Sequence, residues 1–154
     1  MRARVFVLSV VMSVLLALSL AGCEKGPAVP GVTDKEIKIG VQTILTGPYA
    51  SDGAETVRSV DLFVEQINKA GGVNGRLIKV VYADDAYDAT KAVLAVRQLI
   101  DQEQVFAIVG PGGTSTALAV RPIIEEAGIP TITTTAASYT IVDPVPKYMF
   151  MANQ

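Results

Sequence analysis

The sequence predicts an α/β fold in which a parallel sheet carries helices on both faces. From residue 37 onward, short apolar runs alternate with longer amphipathic stretches, and turn residues separate them. The run at 105–109 is nearly all apolar, as is typical of a central parallel strand buried on both faces. In chain order the elements form the series β-α-β-α-β-α-β, with a fifth strand after it. Such a series builds parallel strands joined by crossover helices.

The first strand and the first helix lie between residues 37 and 72. Residues 37–41 (IKIGV) form a short apolar strand. Ser51 or Asp52 can cap the helix that follows, because both side chains accept hydrogen bonds from free helical N–H groups. Gly71 and Gly72 end this helix. Its core-facing side chains share one face by their spacing: Val57, Val60, Val64 and Ile67.

The remaining elements follow the same pattern. Residues 77–82 form the second strand, and Asp88 can cap the second helix. A third helix spans residues 114–127, where Pro122 is expected to kink or shorten it. The inward side chains of the second helix are Ala92, Val93, Val96, Leu99 and Ile100. The other strands are predicted at 105–109, 129–132 and 148–151.

Ligands of parallel α/β sheets bind beyond the carboxyl ends of the strands. Those ends fall at four places in this chain: 43–53, 84–88, 110–115 and 133–138. A binding site is therefore expected where these four segments meet.

The composition limits the chemistry that the chain can perform. Its 154 residues are half apolar and 18% charged, which is enough for one domain with a core. The 13 basic and 15 acidic residues form no block of either sign, which argues against a nucleic-acid partner. There is no histidine, so His-based triads and His metal sites are excluded. One cysteine can form neither an intrachain disulfide nor a cysteine-cluster zinc site, and the sequence predicts no metal, cofactor or catalytic residue.

The amino terminus has the pattern of a secretory signal. Arg2 and Arg4 precede an uncharged, mostly apolar stretch from residue 5 to 22, and Cys23 follows Leu-Ala-Gly at 20–22. This ending resembles the lipobox of bacterial lipoproteins, in which the cysteine receives lipid and becomes the first mature residue. The alternative is an uncleaved membrane helix. We expect a signal peptide at 1–22, a flexible tether at 23–36 that is rich in Pro and Gly, and a folded domain at 37–154.

The stretch VGPGGTSTA at 109–117 places glycines and hydroxyls at the start of the third helix. Such a helix start binds anions, because its backbone N–H groups are unpaired and face the ligand. The phosphate-loop pattern with its lysine is missing here, and the first turn lacks the G-x-G-x-x-G dinucleotide pattern. The loop therefore suits a carboxylate held by neutral donors, with Thr114, Ser115 and Thr116 supplying hydroxyls. The alternative is that Thr114 or Ser115 only caps the helix.

Two further segments follow strand ends. Residues 133–139 (TTTAASY) are small and hydroxylated, so they form either a ligand loop or a plain polar loop. Asp84, Asp85 and Asp88 resemble a carboxylate cluster. Neighbours on an extended chain point to opposite faces, so turn and cap roles are expected for these three residues.

Taken together, these stretches resemble the type I periplasmic binding proteins, and in particular the leucine/isoleucine/valine-binding branch associated with ABC transporters. The resemblance covers nearly all of residues 35–152, and its most specific block is INKAGGVNGR. The blocks that carry it occur in the family's order: IKIG at 37–40, LTGP at 45–48, INKAGGVNGR at 67–76, DD at 84–85, VGP at 109–111 and EEAGIP at 125–130.

The resemblance also implies the site residues. The hydroxyl that binds the ligand carboxylate falls on Thr114, between Gly113 and Ser115. The loop that supplies a carbonyl for the ligand ammonium and a donor for its carboxylate falls on Thr135, Ala136 and Ala137. The hydroxyl that the family often has at position 137 is missing here. Tyr49 and Asp52 fall in the first turn, where the family places a residue near the ligand side chain.

The resemblance implies a binding protein that performs no chemistry. We expect a solute receptor in the cell envelope, on the periplasmic or extracellular face, anchored to the membrane by lipid on Cys23. It would deliver a branched-chain amino acid or similar small carboxylate to an ABC permease. The alternative is a receptor domain that senses an amide, a urea or an aromatic acid. The family has two lobes, so residues 37–154 are expected to form a first lobe that is itself incomplete.

Overall fold

The structure, a computed structural model, describes residues 28–152. Strands and helices alternate along this part of the chain, which confirms the predicted fold class. A π-helical turn, Gln98–Gln102, continues the second helix, and a 3₁₀ turn, Tyr139–Ile141, precedes the last strand. The elements are β1 (Glu36–Thr43), α1 (Ala50–Lys69), β2 (Leu77–Asp84), α2 (Ala89–Arg97), β3 (Ala107–Val109), α3 (Thr114–Ala127), β4 (Thr131–Thr133) and β5 (Met149–Met151).

The five strands form one sheet with the order β2-β1-β3-β4-β5, and every neighbouring pair is parallel. β1 pairs with β2 from Glu36 to Thr43 and with β3 on its other edge from Ile39 to Val41. β2 therefore lies on one side of β1, and β3, β4 and β5 lie on the other side. Parallel sheets bind ligands at such a switch point, beyond the carboxyl ends of the two strands.

One face of the sheet packs against α2 and α3 and holds the main core. Leu99, Ile108 and Ile124 are at most 1% exposed there. Full burial of a side chain of this size contributes about 1.5–3 kcal/mol. Gly40 on β1 makes room for this layer, since a Cβ at that position would lie 2.9 Å from Leu99 Cδ1.

The other face of the sheet carries α1. Val60 and Val64 of this helix line an apolar groove together with Ile39, Val41 and Val80 of the strands. Val57 and Ile67 are half-buried like Val60 and Val64, as their shared helix face predicts. This cover does not extend over β4 and β5, where Ile132 and Phe150 remain 46% and 51% exposed. Phe63, on α1 itself, is 67% exposed.

The predicted cap of α1 and the predicted shortening of α3 are wrong. Neither Ser51 nor Asp52 caps α1, because the helix begins at Ala50 and its N-cap position is Tyr49, without a side-chain cap. Asp52 lies in the first turn instead, where its charge interacts favourably with the helix dipole. Pro122 does not shorten α3, which runs unbroken over the predicted range. This proline is exposed, so the backbone group that it leaves unpaired lies near solvent.

Strand ends differ from the prediction by one or two residues. β1 begins one residue earlier, at Glu36, and β2 extends to Asp84. β3 begins only at Ala107, because the N–H of Val105 donates to Leu99 O at the end of the π-helical turn. The predicted cap of α2 is confirmed, since Asp88 accepts a hydrogen bond from Lys91 N at 2.9 Å.

The described part of the predicted tether lies against the sheet. Val32 forms an antiparallel bridge with Ile37, and Lys38 N donates to Gly31 O at 2.7 Å. Residues 1–27, which include the predicted signal peptide and Cys23, lie outside the described residues. Between residues 28 and 152, no helix combines the length and apolar character needed to cross a membrane.

Glu125 on α3 holds the segment that leads into β5. Its two carboxylate oxygens accept hydrogen bonds from Lys147 N and Tyr148 N, both at 2.8 Å. Desolvation by burial raises the pKa of Glu125. The N–H donors of Lys147, Tyr148 and Met149, together with the charge of Arg121, outweigh that effect and hold the pKa below its usual range.

A Glu125→Gln substitution should therefore destabilise the fold in a pH-dependent way. The folded-state pKa is lowered, so the stabilisation is present above the unfolded pKa of about 4.3 and is lost as the pH falls through the folded value. We expect a loss of about 1 kcal/mol at pH 7, reduced by solvent screening, that shrinks toward zero in acid. Urea unfolding at pH 7 and at pH 3 measures it. Glu126→Gln on the next, exposed position is the control, and an equal, pH-independent loss in both variants would contradict the assignment.

A Gly53→Ala substitution should destabilise the protein although the residue lies in a helix. Gly→Ala within a helix normally stabilises by about 0.5–1 kcal/mol. Here the added Cβ would lie 2.5 Å from the carbonyl carbon of Ile44 and closer still to its oxygen. The overlap involves backbone, so we expect a net loss of about 1–3 kcal/mol in thermal or urea unfolding. Gln66→Ala on the exposed side of α1 should change stability by less than about 0.5 kcal/mol. A stabilised Gly53→Ala variant would show that this contact is absent.

Candidate functional site

A cleft of about 650 Å³ lies at the carboxyl ends of the strands, at the switch point beside β1. Segments that follow β1, β2, β3 and β4 all contribute to its walls. The chain therefore brings together the four strand ends at which a site was expected. The lining residues are Gln42, Thr43, Ile44, Tyr49, Asp52, Gly53, Glu55, Thr56, Tyr87, Gly112, Thr134 and Thr135.

Three of the eight predicted ligand residues line this cleft: Tyr49, Asp52 and Thr135. The other five are not among its lining residues: Gly113, Thr114, Ser115, Ala136 and Ala137. They lie on the loops that lead into or out of Gly112 and Thr135. The side chain of Ala136 is only 1% exposed and belongs to the core, so this residue can offer a ligand only its backbone.

The start of α3 is closed by Thr116. The Thr116 hydroxyl donates to Gly113 O at 2.9 Å and accepts from Gly113 N at 3.2 Å. Gly113 is the N-cap residue, and no side chain caps the helix. Within residues 28–152, the hydroxyls of Thr114 and Ser115 form no hydrogen bond. The alternative that one of these two hydroxyls caps the helix is therefore wrong, and both stay available at the helix start.

Two glycines let the β3 loop approach its neighbours. Gly110 has φ +94°, and a Cβ there would lie 3.0 Å from the carbonyl carbon of Gln42 and closer to its oxygen. A Cβ on Gly113 would lie 3.1 Å from Tyr87 Cζ and overlap the neighbouring ring carbon. The Thr135 hydroxyl donates to Gly112 O and so joins the β3 loop to the β4 loop. Side chains at positions 110 and 113 would push the loop away from the cleft.

Two tyrosines stand together at the cleft. The ring centroids of Tyr49 and Tyr87 are 5.2 Å apart, and the ring planes are inclined by 59°. Tyr87 has φ +58°, a conformation that costs a non-glycine residue energy, and its N–H donates to Asp85 Oδ1 at 2.9 Å. Sequence reasoning missed Tyr87. The segment 84–88 had been recognised as a strand end, and an aromatic residue beside its aspartates was the signal that could have identified it.

The three aspartates after β2 have the turn and cap roles that were predicted. Asp84 Oδ1 accepts from Leu45 N at 2.8 Å and from Ala86 N at 2.9 Å, and Asp84 Oδ2 accepts from Thr46 Oγ1. Desolvation raises the pKa of Asp84, but these donors outweigh it and lower the pKa below its usual value. Between residues 28 and 152, no group of three His, Cys, Asp or Glu side chains is arranged to hold a metal ion.

Gln42 was also missed, because it lies on a strand rather than in a loop. It is 1% exposed, and its Nε2 donates to Asp85 Oδ2 at 2.8 Å. Since a carboxylate can only accept, this bond fixes the orientation of the Gln42 amide. The Gln42 Oε1 atom is buried without a hydrogen-bond partner among the described residues. A buried acceptor without a donor is costly, and this one belongs to a residue that lines the cleft.

Comparison with known proteins identifies the family. A sequence profile of the periplasmic binding proteins matches residues 36–154. The chain is 36% identical over 139 residues to Leu/Ile/Val-binding protein homolog 7 of Brucella abortus, which covers 90% of this chain and 34% of that protein. It is 40% identical over 98 residues to an amino acid binding protein of Pseudomonas aeruginosa, which covers 64% of this chain and 26% of that protein.

Solved structures agree with the sequence comparison. The branched-chain amino acid transporter substrate binding protein LivJ of Streptococcus pneumoniae, in complex with isoleucine, superposes with a TM-score of 0.72 at 31% identity over 76% of this chain and 33% of that one. A solute binding protein of an ABC transporter from Rhodopseudomonas palustris, in complex with 3,4-dihydroxybenzoic acid, superposes with a TM-score of 0.67 at 31% identity, over 75% of this chain and 31% of that one.

The chain spans about a third or less of the length of these relatives. The matched part corresponds to the first lobe of the solved structures, as the resemblance implied. The family consists of binding proteins rather than enzymes. On the sequence profile and on these relatives, the chain belongs to the type I periplasmic binding proteins, in their Leu/Ile/Val-binding branch.

Proposed function

We propose that the full-length protein is the extracytoplasmic solute-binding component of an ABC importer. Its ligand is a branched-chain amino acid or a similar small carboxylate, which it binds without chemical change. The observation that carries this proposal is the start of α3, where the hydroxyls of Thr114 and Ser115 have no hydrogen-bond partner beside the cleft. Support also comes from a relative named as a Leu/Ile/Val-binding protein and from the LivJ structure with isoleucine.

The ligand carboxylate binds at the start of α3. The first backbone N–H groups of a helix have no partner within the helix, and the helix dipole places partial positive charge there. Thr114 and Ser115 add hydroxyl donors at the same place. The segment between Lys91 and Lys147 contains no lysine and two arginines: Arg97 lies in the last turn of α2, and Arg121 donates to Thr140 O and Pro144 O. Neutral donors of this kind suit one negative charge rather than the several charges of a phosphate ester.

The β4 loop completes the polar contacts. In our proposal, the carbonyl of Thr135 accepts from the ligand ammonium, and the backbone N–H of Ala137 donates to the carboxylate. The Thr135 hydroxyl is already bound to Gly112 O, so this side chain positions the two loops against each other. Tyr49 and Asp52 in the first turn of the chain face the remainder of the ligand.

The rest of the proposal concerns the cell envelope. Residues 1–22 form a lipoprotein signal peptide, Cys23 carries the lipid, residues 23–36 connect it to the domain, and residues 37–154 belong to the first lobe. The lipid holds the protein at the outer face of a membrane, where it meets its ABC permease. Support for the anchor is the Leu-Ala-Gly-Cys ending at 20–23 after an uncharged apolar stretch.

A Thr114→Val substitution in the full-length protein should weaken ligand binding. Valine keeps the shape of threonine and removes the hydroxyl, and a hydrogen bond to a charged group contributes about 1.5–3 kcal/mol. We expect the affinity for leucine to fall by about ten- to a hundredfold in calorimetric titrations. Leucinamide, which lacks the carboxylate, should bind weakly to both proteins.

Thr90→Val is the matched control, because Thr90 lies at the start of α2, a helix that Asp88 already caps. This variant should bind leucine like the wild type. If Thr114→Val also binds leucine with wild-type affinity, the start of α3 does not hold the carboxylate.

A Cys23→Ser substitution should abolish lipid attachment. The wild-type protein, expressed in a bacterium, should partition into the detergent phase and carry a lipid-sized mass increase on its first mature residue. The serine variant should remain in the aqueous phase. Intact mass spectrometry decides the point, and an unmodified Cys23 in the wild-type protein would rule out the anchor.

A further inference from the structure

The wall of the cleft that α1 forms carries uncompensated negative charge. Asp52 and Glu55 both line the cleft, and none of its lining residues is a lysine or an arginine. Glu55 is paired with Arg58 one turn further along the helix. Asp52 accepts only a long hydrogen bond from Ser51 Oγ, at 3.4 Å, and has no ion pair among the described residues. A ligand therefore meets one carboxylate here whose charge the protein does not neutralise.

Two aromatic rings line the same cleft. Tyr87 and Tyr49 are 44% and 52% exposed, so part of each ring is open to the cleft. The face of an aromatic ring carries partial negative charge and attracts a cation within about 6 Å. Tyr49 is the N-cap residue of α1, and Asp52 lies in the first turn of this helix. A cleft lined by this carboxylate and by two rings with centroids 5.2 Å apart favours a positive group over a methyl group.

Gln42 is an independent observation at the same cleft. Its side chain is almost fully buried, it lines the cleft, and its Oε1 has no donor among the described residues. Because Nε2 is held by Asp85, the amide cannot turn to present a donor instead. The described residues thus leave acceptor capacity unfilled on both Gln42 and Asp52, two residues that line the cleft.

We propose that the ligand carries a cationic hydrogen-bond donor, an ammonium or a guanidinium, on its side chain. This inference rests on the proposed function, since it places the ligand carboxylate at α3 and the side chain between Asp52 and the two tyrosines. An aliphatic side chain in this position would remove water from Asp52 without replacing its hydrogen bonds, which is unfavourable. Of the two ligand classes in the proposed function, this selects a small carboxylate with a basic side chain over a branched-chain amino acid.

A structural role for Asp52 predicts a different result. A carboxylate in the first turn of a helix stabilises the helix through its dipole, whether or not a ligand is present. That role would appear in the unfolding of the ligand-free protein and would not depend on which ligand is added. The two roles are separated by measuring binding with a pair of ligands that differ only in charge.

The experiment titrates the full-length protein with L-lysine, L-norleucine and L-leucine by calorimetry. Lysine and norleucine share the same four-carbon side chain and differ by the terminal ammonium. We expect lysine to bind about tenfold or more tightly than norleucine, as for a charge-assisted hydrogen bond. Asp52→Asn should remove most of this preference, because it weakens the binding of lysine far more than that of norleucine. Glu65→Gln, which removes a carboxylate further along the same helix, should keep the preference.

The outcomes distinguish the two proposals. If leucine or norleucine binds as tightly as lysine, or if Asp52→Asn keeps the preference for lysine, the cationic ligand is ruled out while the proposed function stands. If none of the three amino acids binds, the proposed function fails and this inference falls with it.

Discussion

Parallel pairing on both edges of β1 is the constraint on which the rest of the structure depends. β1 runs beside β2 along its whole length and beside β3 at its central residues, Ile39 to Val41. The chain leaves the two neighbouring strands in opposite directions, so the loops above β1 separate and leave a crevice. Gly40 lets the π-helical turn pack directly on this strand, which keeps the sheet and the α2 layer close together. The cleft is thus a result of the topology and exists before any ligand contact is considered.

The crevice is shaped by contacts between segments that are distant in sequence. Asp84, at the end of β2, accepts hydrogen bonds from the backbone of Leu45 and Thr46 and so holds the first loop. Asp85 accepts from Gln42 and Tyr87, which joins the end of β1 to the second loop. These carboxylates hold the walls in place and are largely occupied by protein donors. Asp52 differs from them, because it accepts only one long hydrogen bond, from Ser51 Oγ, and lines the open cleft.

The loops around the cleft offer both donors and acceptors. The start of α3 offers N–H and O–H donors, whereas Gln42, Asp52 and the two tyrosines offer acceptors and ring faces. In our proposal, a ligand with a carboxylate and a cationic side chain uses both kinds of contact. A reversed pose would place like charges together and leave the helix N–H groups without an acceptor.

The sequence by itself determined the element order, the fold class and most helix limits. Hydrophobic periodicity and turn residues are local signals, and for α3 they identified the observed range, 114–127. The meeting of the four strand ends also followed from sequence, since parallel strands share one carboxyl edge. Tertiary structure alone decided which side chains face the cleft. The partner of Gln42 is 43 residues away, the ring of Tyr87 lies over Gly113, and Thr116 closes α3 in place of Thr114. Such contacts depend on how separate loops pack against each other. The periodicity of one segment does not predict where a segment distant in sequence will lie.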